Sequence, residues 1–306
     1  MFKNTEKKFI WKNGEFENWD DSNVHILSHT LHYGTGVFEG VRAYKTENGP
    51  AIFRLSEHTS RLFDAASKIN IKIPFSKDEL NIIQCNILNQ NNLNEGYIRP
   101  IVYLGNEGLG LRAKDLSVNV AVAAWEWPSY MDPIAKEEGI SVIKSSYKQY
   151  ENPLHSGNKI IGTYFSNTMA LHEALDKGAD EAIMMDMNGF ISEGSGENVF
   201  IVKDEVVFTP TIDHCLNGIT RQSVIQMAKD LSIEVHEKDL RYEDLKNADE
   251  AFFTGTAVEI TPITKLDQSS INDGKRGPIT KILQDSFMSI VSGQNPKYSN
   301  WLTFTR

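Results

Sequence analysis

Apolar and polar positions change period several times along the chain, and each change marks an element. Ser76-Lys77-Asp78-Glu79 reads as a capping box, after which Leu80, Ile83 and Ile87 recur at helical spacing until the Asn-rich stretch Asn89 to Asn94. Tyr97 to Leu104 and Val118 to Trp125 are short runs of β-branched and aromatic residues, the composition of strands. Trp125 to Pro133 breaks this pattern with Pro128 and Pro133. It places a linker over residues 128–136, between a smaller domain at 1–127 and a larger one at 137–306. Next come a strand near Ile140 to Lys144 and a helix from about Thr163 to Lys177 that Gly178 can terminate. Asn188-Gly189 lies between the apolar pieces Ala182 to Met185 and Phe190-Ile191, a strong hairpin signal. Lys203-Asp204-Glu205 marks a second turn, between Asn198 to Val202 and Val206 to Phe208. Helices follow near Thr220 to Leu231 and Pro278 to Val291, with strands near Ile233 to His236 and Glu250 to Thr254. No internal repeat is visible. The order gives an α+β chain of meandering antiparallel strands rather than alternating βαβ units.

Composition narrows the function. A chain of 306 residues has room for two domains with real cores, which excludes a small disulfide scaffold or a lone binding module. A net charge of −10 repels phosphate backbones and anionic lipid, so nucleic-acid or membrane binding is not expected and any anion site must be built locally. Cys85 and Cys215 are too few for a disulfide framework or a Cys-rich metal site, and both are expected as buried thiols of a reducing compartment. Met1 to Lys8 leads into no signal-peptide core, and no apolar run approaches a membrane span, so a soluble cytoplasmic protein is expected.

Several segments carry candidate chemistry. Gly34-Thr35-Gly36-Val37-Phe38-Glu39-Gly40 resembles a dinucleotide fingerprint, but its third glycine falls one residue late and no strand precedes it. His25, His29 and His32 can share one helix face as metal ligands, yet no fourth ligand accompanies them, and packing histidines are the simpler reading. Ile191-Ser192-Glu193-Gly194-Ser195-Gly196-Glu197-Asn198 combines two acids with two glycines that let backbone or ligand approach closely. Leu216-Asn217-Gly218-Ile219-Thr220-Arg221 opens an amphipathic helix with Thr220 as its expected N-cap, a start that caps a helix and can also bind phosphate. Phe253-Thr254-Gly255-Thr256-Ala257 is a second place where small residues expose backbone donors.

Together these blocks resemble the branched-chain-amino-acid aminotransferases of the pyridoxal-phosphate fold type IV group. The resemblance rests on His29 to Arg42, Tyr97-Ile98-Arg99-Pro100, Asn158-Lys159, Ile191 to Asn198, Gly218 to Arg221 and Thr254 to Pro262, in that order along nearly the whole chain. It implies a two-domain enzyme with a smaller N-terminal α/β domain and a larger C-terminal domain on a mixed or antiparallel barrel-like sheet. The implied reaction moves the amino group of L-leucine, L-isoleucine or L-valine reversibly to 2-oxoglutarate by a ping-pong mechanism. Lys159 would hold the cofactor aldehyde covalently and carry the proton between the substrate Cα and cofactor C4′. Glu193 matches the acid against the pyridine nitrogen, with Glu197 as the competing carboxylate. Tyr164 would meet the phenolic oxygen. The phosphate would fall to Arg61, the backbone around Ile219 and Thr220, and Thr256, with Leu216 and Gly218 as further cofactor-binding residues.

Substrate binding must reconcile an aliphatic side chain with the distal carboxylate of glutamate. Tyr97 and Arg99 are two apart on an expected strand, so their side chains face the same way. By resemblance Arg99 meets the distal carboxylate, Thr256, Ala257 and Tyr97 meet the α-carboxylate, Tyr33, Phe38, Tyr130 and Tyr164 line the apolar part, and Gly40 is a further substrate-binding residue. By the same resemblance Thr163 stands where many members have Asn and Gly36 where Ser or another small residue is frequent, which leaves the ranking of substrates open. The family also implies a homodimer, commonly a hexamer built as a trimer of dimers. A D-amino-acid aminotransferase or aminodeoxychorismate lyase of the same fold is the nearest rival, against which Phe38-Glu39-Gly40 and Tyr97-x-Arg99 count. A noncatalytic binding protein would not need Lys159, Glu193 and Tyr164 together.

Overall fold

In the computed structural model, which describes residues 8–127, 134–149 and 158–306, the capping box at Ser76 forms as the sequence predicts. The Glu79 amide donates to the Ser76 hydroxyl at 3.2 Å, the Ser76 amide donates to the Glu79 carboxylate at 2.7 Å, and the helix Lys77–Gln90 follows. Asn92 then turns the chain out with φ +51°, a conformation asparagine tolerates. The linker predicted at 128–136 falls mostly on 128–133, and Tyr130 with it, outside the described residues.

The chain divides into two compact units, each discontinuous in sequence. The first comprises Met1–Pro128, Asn158–Thr163 and Ile290–Arg306. Among the described residues its sheet has eight strands, all antiparallel, in the order Leu302–Phe304, Gly49–Phe53, Val41–Thr46, Gly96–Leu104, Val118–Trp125, Phe9–Lys12 and Glu15–Asn18, with Gly36–Phe38 also paired to Gly96–Leu104. Helix Leu55–Lys68 turns Leu55, Leu62, Ala65 and Ala66 into the core that Val41, Ile52, Ile98, Val120 and Val122 fill from the sheet. Cys85 lies on helix Lys77–Gln90 only partly buried, contrary to expectation, because it faces the edge of this core.

The second unit, Ser129–Gly157 with Tyr164–Ser289, carries a nine-stranded sheet among the described residues. Asn188-Gly189 makes the predicted hairpin, pairing Met185 with Ile191, with Gly189 at φ +82° and the Asp186 carboxylate accepting the Asn188 and Phe190 amides. Here the expected antiparallel meander is interrupted. Ile140–Lys148 runs parallel to both Glu181–Met185 and Glu259–Leu266, and Val206–Thr209 runs parallel to Val235–Glu237. A parallel neighbour needs a crossover, which helix Tyr164–Asp176 and helix Ile219–Asp230 supply for the first and last of these pairs. No helix among the described residues is long and apolar enough to cross a membrane.

Candidate active site

In the first unit, the glycines of the motif at 34–40 make a seat for the lysine segment. The Gly162 amide donates to the Gly34 carbonyl at 3.0 Å, and a Cβ on Gly34 would lie 2.4 Å from the Gly162 Cα. A Cβ on Gly36 would meet Ile161 Cδ1 and the Val102 carbonyl oxygen, each at 2.7 Å, so this backbone has no room for a side chain there. Val37 bridges Ile160, and the Phe38 amide donates to the Lys159 carbonyl at 3.1 Å. Lys159 Nζ then stands 5.6 Å from the centroid of the Phe38 ring.

Arg99 lies over the same ring, its Cζ 4.7 Å from the centroid, and its Nη2 reaches the Tyr97 hydroxyl at 3.4 Å. The two side chains do share a face, as their strand spacing predicts. Arg99 Nε is buried without a hydrogen-bond partner among the described residues, a donor in want of an acceptor. Tyr97 packs against Trp125 and Trp127, and its hydroxyl would lie 1.8 Å from a Cβ on Gly40, so only glycine fits there. Tyr33 is exposed at the end of helix His29–Tyr33 and packs on His29 and His32. The histidines find protein partners. His29 bridges Thr35 and the Gly110 carbonyl, His32 meets the Ile26 carbonyl, and His25 accepts the Leu27 amide.

Arg61, on helix Leu55–Lys68, grips the buried Glu39 side-on, Nε to Oε1 at 2.6 Å and Nη2 to Oε2 at 3.0 Å. His58 Nδ1 lies 2.8 Å from Oε2. Burial alone would push the Glu39 carboxyl up, but Arg61 and His58 outweigh it and hold the group well below the usual carboxylate range. Burial, joined by the Arg61 and Lys159 charges, also depresses the His58 imidazole against the raising effect of the Glu39 carboxylate, so the ring is neutral at pH 7 and donates to Glu39. The unfolded histidine titrates near 6.5, above the folded one. The stability this group carries is therefore complete above that value and falls as the pH drops below it, by at most about 1.4 kcal/mol per pH unit. We expect thermal melts between pH 7 and 5.5 to fall less steeply for His58→Asn than for the parent. Parallel slopes would show that His58 does not contribute.

In the second unit, Glu193 ends strand Ile191–Glu193 and is buried. Gln149 Nε2 donates to its Oε1 at 2.6 Å, the Leu216 amide to its Oε2 at 3.1 Å, and Asn198 Nδ2 to Oε2 at 3.5 Å. The loop that brings Leu216 there is tied at several points. His214 contacts Asp186 at 2.9 Å and Asp239 at 3.1 Å, the Ser192 hydroxyl donates to the His214 carbonyl, and buried Arg221 holds the Pro210 carbonyl at 2.7 Å. Beside Glu193, the Cys215 thiol is pushed up to about 12, chiefly by burial, and is inert. Glu197 turns elsewhere, accepting the Gly196 amide at 2.9 Å and hydrogen-bonding Glu181. Helix Ile219–Asp230 starts from Gly218, which corrects the expected cap at Thr220: Gly218 has the extended N-cap conformation, and Thr220 is buried in the first turn. A Cβ on Gly218 would lie 2.0 Å from Asn198 Oδ1, so a side chain cannot replace this glycine as cap. The strand Glu250–Gly255 delivers Thr256 and Ala257 to a partly exposed turn.

The amino-transferase class IV family matches residues 36–266. Over 298 residues the chain is 47% identical to the branched-chain-amino-acid aminotransferase of Pseudomonas aeruginosa, covering 97% of each. This chain belongs to the class IV aminotransferases. Another member, the solved branched-chain amino acid aminotransferase of Escherichia coli, has a TM-score of 0.95 at 40% identity, covering 98% of this chain and 100% of that one. The T.th. enzyme with pyridoxamine 5'-phosphate gives the same score and identity, covering 98% and 99%.

Within this class IV aminotransferase, sequence reasoning missed Glu39 and His58 as partners of Arg61, and Gln149 and Asn198 as partners of Glu193. His58 and Arg61, three apart on one helix, carried a usable signal, since such residues share a face. Gln149 carried none.

Proposed function

We infer that this chain transfers the amino group of L-leucine, L-isoleucine or L-valine reversibly to 2-oxoglutarate, with pyridoxal 5'-phosphate as cofactor. Full-length similarity to enzymes of that name supports the activity. The structural observation that carries the substrate reading is Arg99: a cation whose buried Nε has no hydrogen-bond partner among the described residues, beside the Phe38 and Tyr97 rings. Such a surface accepts a branched aliphatic chain, and its cation can also receive a distal carboxylate.

The residues present fit the cofactor. Glu193 is a buried carboxylate already fed by amide donors, suited to a protonated ring nitrogen; Gly218 and the first turn of its helix offer a start with oriented N–H groups. When bound, pyridoxal 5'-phosphate supplies the electron sink for the charge that develops at the substrate Cα. We assign Lys159 the aldehyde and the proton carried between Cα and C4′. Glu193 would keep the ring nitrogen protonated, and Tyr164 would donate to the phenolic oxygen. Arg61, Gly218, Ile219, Thr220 and Thr256 would hold the phosphate, Leu216 would meet the cofactor beside Glu193, and Thr256, Ala257, Tyr97 and Gly40 would serve the α-carboxylate. Tyr33, Phe38, Tyr130 and Tyr164 would line the apolar part. The family further implies a cytoplasmic homodimer, or a hexamer assembled as a trimer of dimers.

The test of the activity is the absorbance of cofactor-loaded protein mixed separately with L-leucine and with D-alanine. A spectral change with L-leucine alone, with 2-oxo acid formed, is the expected result; a response to D-alanine alone would move the enzyme to the D-specific branch. Arg99→Ala is expected to lower kcat/KM for 2-oxoglutarate by about 10- to 100-fold, the worth of charge-assisted hydrogen bonds, and that for L-leucine by only about twofold. Equal losses would make Arg99 structural.

A further inference from the structure

We propose that Glu39 and His58 are positioning residues that aim Arg61 at the cofactor phosphate, with His58 fixing Glu39 and Glu39 fixing the guanidinium. The inference rests on the reading that Arg61 meets that phosphate.

The geometry is that of a clamp. Glu39 closes on the Nε and Nη2 edge of Arg61, so both rotation of the guanidinium plane and its tilt are set, and the Nη1 edge is turned away from Glu39. Four hydrogens reach the carboxylate: two from Arg61, one from His58 Nδ1 at 2.8 Å and one from the Gly40 amide at 3.2 Å. Three of them converge on Oε2 and one on Oε1, and the buried carboxylate is thereby committed to this cluster. The backbone beneath is equally fixed, because the Glu39 amide donates to the Pro100 carbonyl at 2.9 Å while His58 and Arg61 share one helix.

The cluster is not well explained as a source of stability or of charge. A buried ion pair gains little net stability over an apolar replacement. As an anion site Arg61 arrives already neutralised by Glu39, so what the cluster adds is direction. That makes opposite predictions available. If direction governs, removing the Glu39 charge weakens phosphate binding; if net charge governs, removing it strengthens binding.

The test compares pyridoxal 5'-phosphate with pyridoxal, which lacks the phosphate but keeps the aldehyde, on full-length protein freed of cofactor. Dissociation constants are read by tryptophan fluorescence, with a thermal melt of each cofactor-free variant alongside. Glu39→Gln keeps the shape but sets an amide N–H against donors, and is expected to weaken pyridoxal 5'-phosphate by about tenfold, one charged hydrogen bond, while pyridoxal changes by less than about twofold. His58→Leu is expected to reduce the same preference, and His58→Asn to restore it, because the asparagine amide can donate in place of Nδ1. The histidine pair keeps the test open should Glu39→Gln not fold. An unchanged preference in folded Glu39→Gln or His58→Leu, or tighter phosphate binding in Glu39→Gln, overturns the proposal. Arg61→Lys separates the two levels: if its preference is also unchanged, the phosphate role of Arg61 fails and the inference with it. A preference lost in Arg61→Lys but kept in Glu39→Gln and His58→Leu overturns the inference alone.

Discussion

Replacing Lys159 by alanine is expected to abolish transamination, lowering turnover by at least about 10⁴-fold, because on the proposed assignment one substitution would remove both the covalent anchor and the proton carrier. The fold should survive. What seats this residue is backbone: the Phe38 amide on the Lys159 carbonyl, the Val37–Ile160 bridge and the Gly34–Gly162 contact, none of which uses the lysine side chain. The measurement is turnover with L-leucine and 2-oxoglutarate, paired with borohydride reduction and peptide mass analysis. In the parent, the cofactor mass should appear on the peptide carrying Lys159; in Lys159→Ala it should appear nowhere. Turnover near the parent's would remove Lys159 from its role. Lost turnover with the cofactor still fixed to another lysine would place the anchor elsewhere.

Elements set by local chemistry are legible in the amino-acid order itself. The Ser76 capping box, the Asn188-Gly189 hairpin and the strands around Tyr97 and Val118 depend on neighbours within a few residues, and each forms where its pattern lies. What needs partners distant in sequence is not legible. Gly34 and Gly36 read as a failed nucleotide loop because their reason for being glycine, the approach of Ile161 and Gly162, lies far downstream in the chain. The same holds for the return of Asn158–Thr163 and Ile290–Arg306 to the first unit, which no linker composition announces. Thr220 reads as a cap because threonine caps well in general; Gly218 holds the position because Asn198 occupies the space a side chain would need.

The roles of the candidate residues come from ordered blocks shared with a family, while the geometry adds who supports them. Glu193 and Glu197 illustrate the difference. Four residues apart in sequence, they are indistinguishable by type, and their partners separate them. Glu197 hydrogen-bonds within its own turn and to Glu181, whose carboxyl burial pushes up, so this pair is spent on holding the loop. Glu193 is instead oriented by Gln149, Asn198 and the Leu216 amide, with a fixed carboxylate as the result.

Glu193→Ala is accordingly expected to retain cofactor but lose about 10²- to 10³-fold in kcat, the usual worth of one preorganised electrostatic contact to developing charge. A carboxylate against the ring nitrogen keeps that nitrogen protonated, and only the protonated ring withdraws charge from Cα effectively. Phosphate donors and Lys159 would still hold the cofactor, so binding and rate should part company. The isosteric Glu193→Gln should lose rate as well: it keeps the volume but not the charge, and its single carbonyl oxygen can take the place of only one of the two oxygens that accept from Gln149 and Leu216. The decisive measurement is the single-turnover rate of the L-leucine half-reaction at equal cofactor occupancy, since this isolates proton removal from product release. An unchanged rate in Glu193→Ala would remove Glu193 from the ring nitrogen, and a loss confined to Glu197→Gln would hand the role to Glu197.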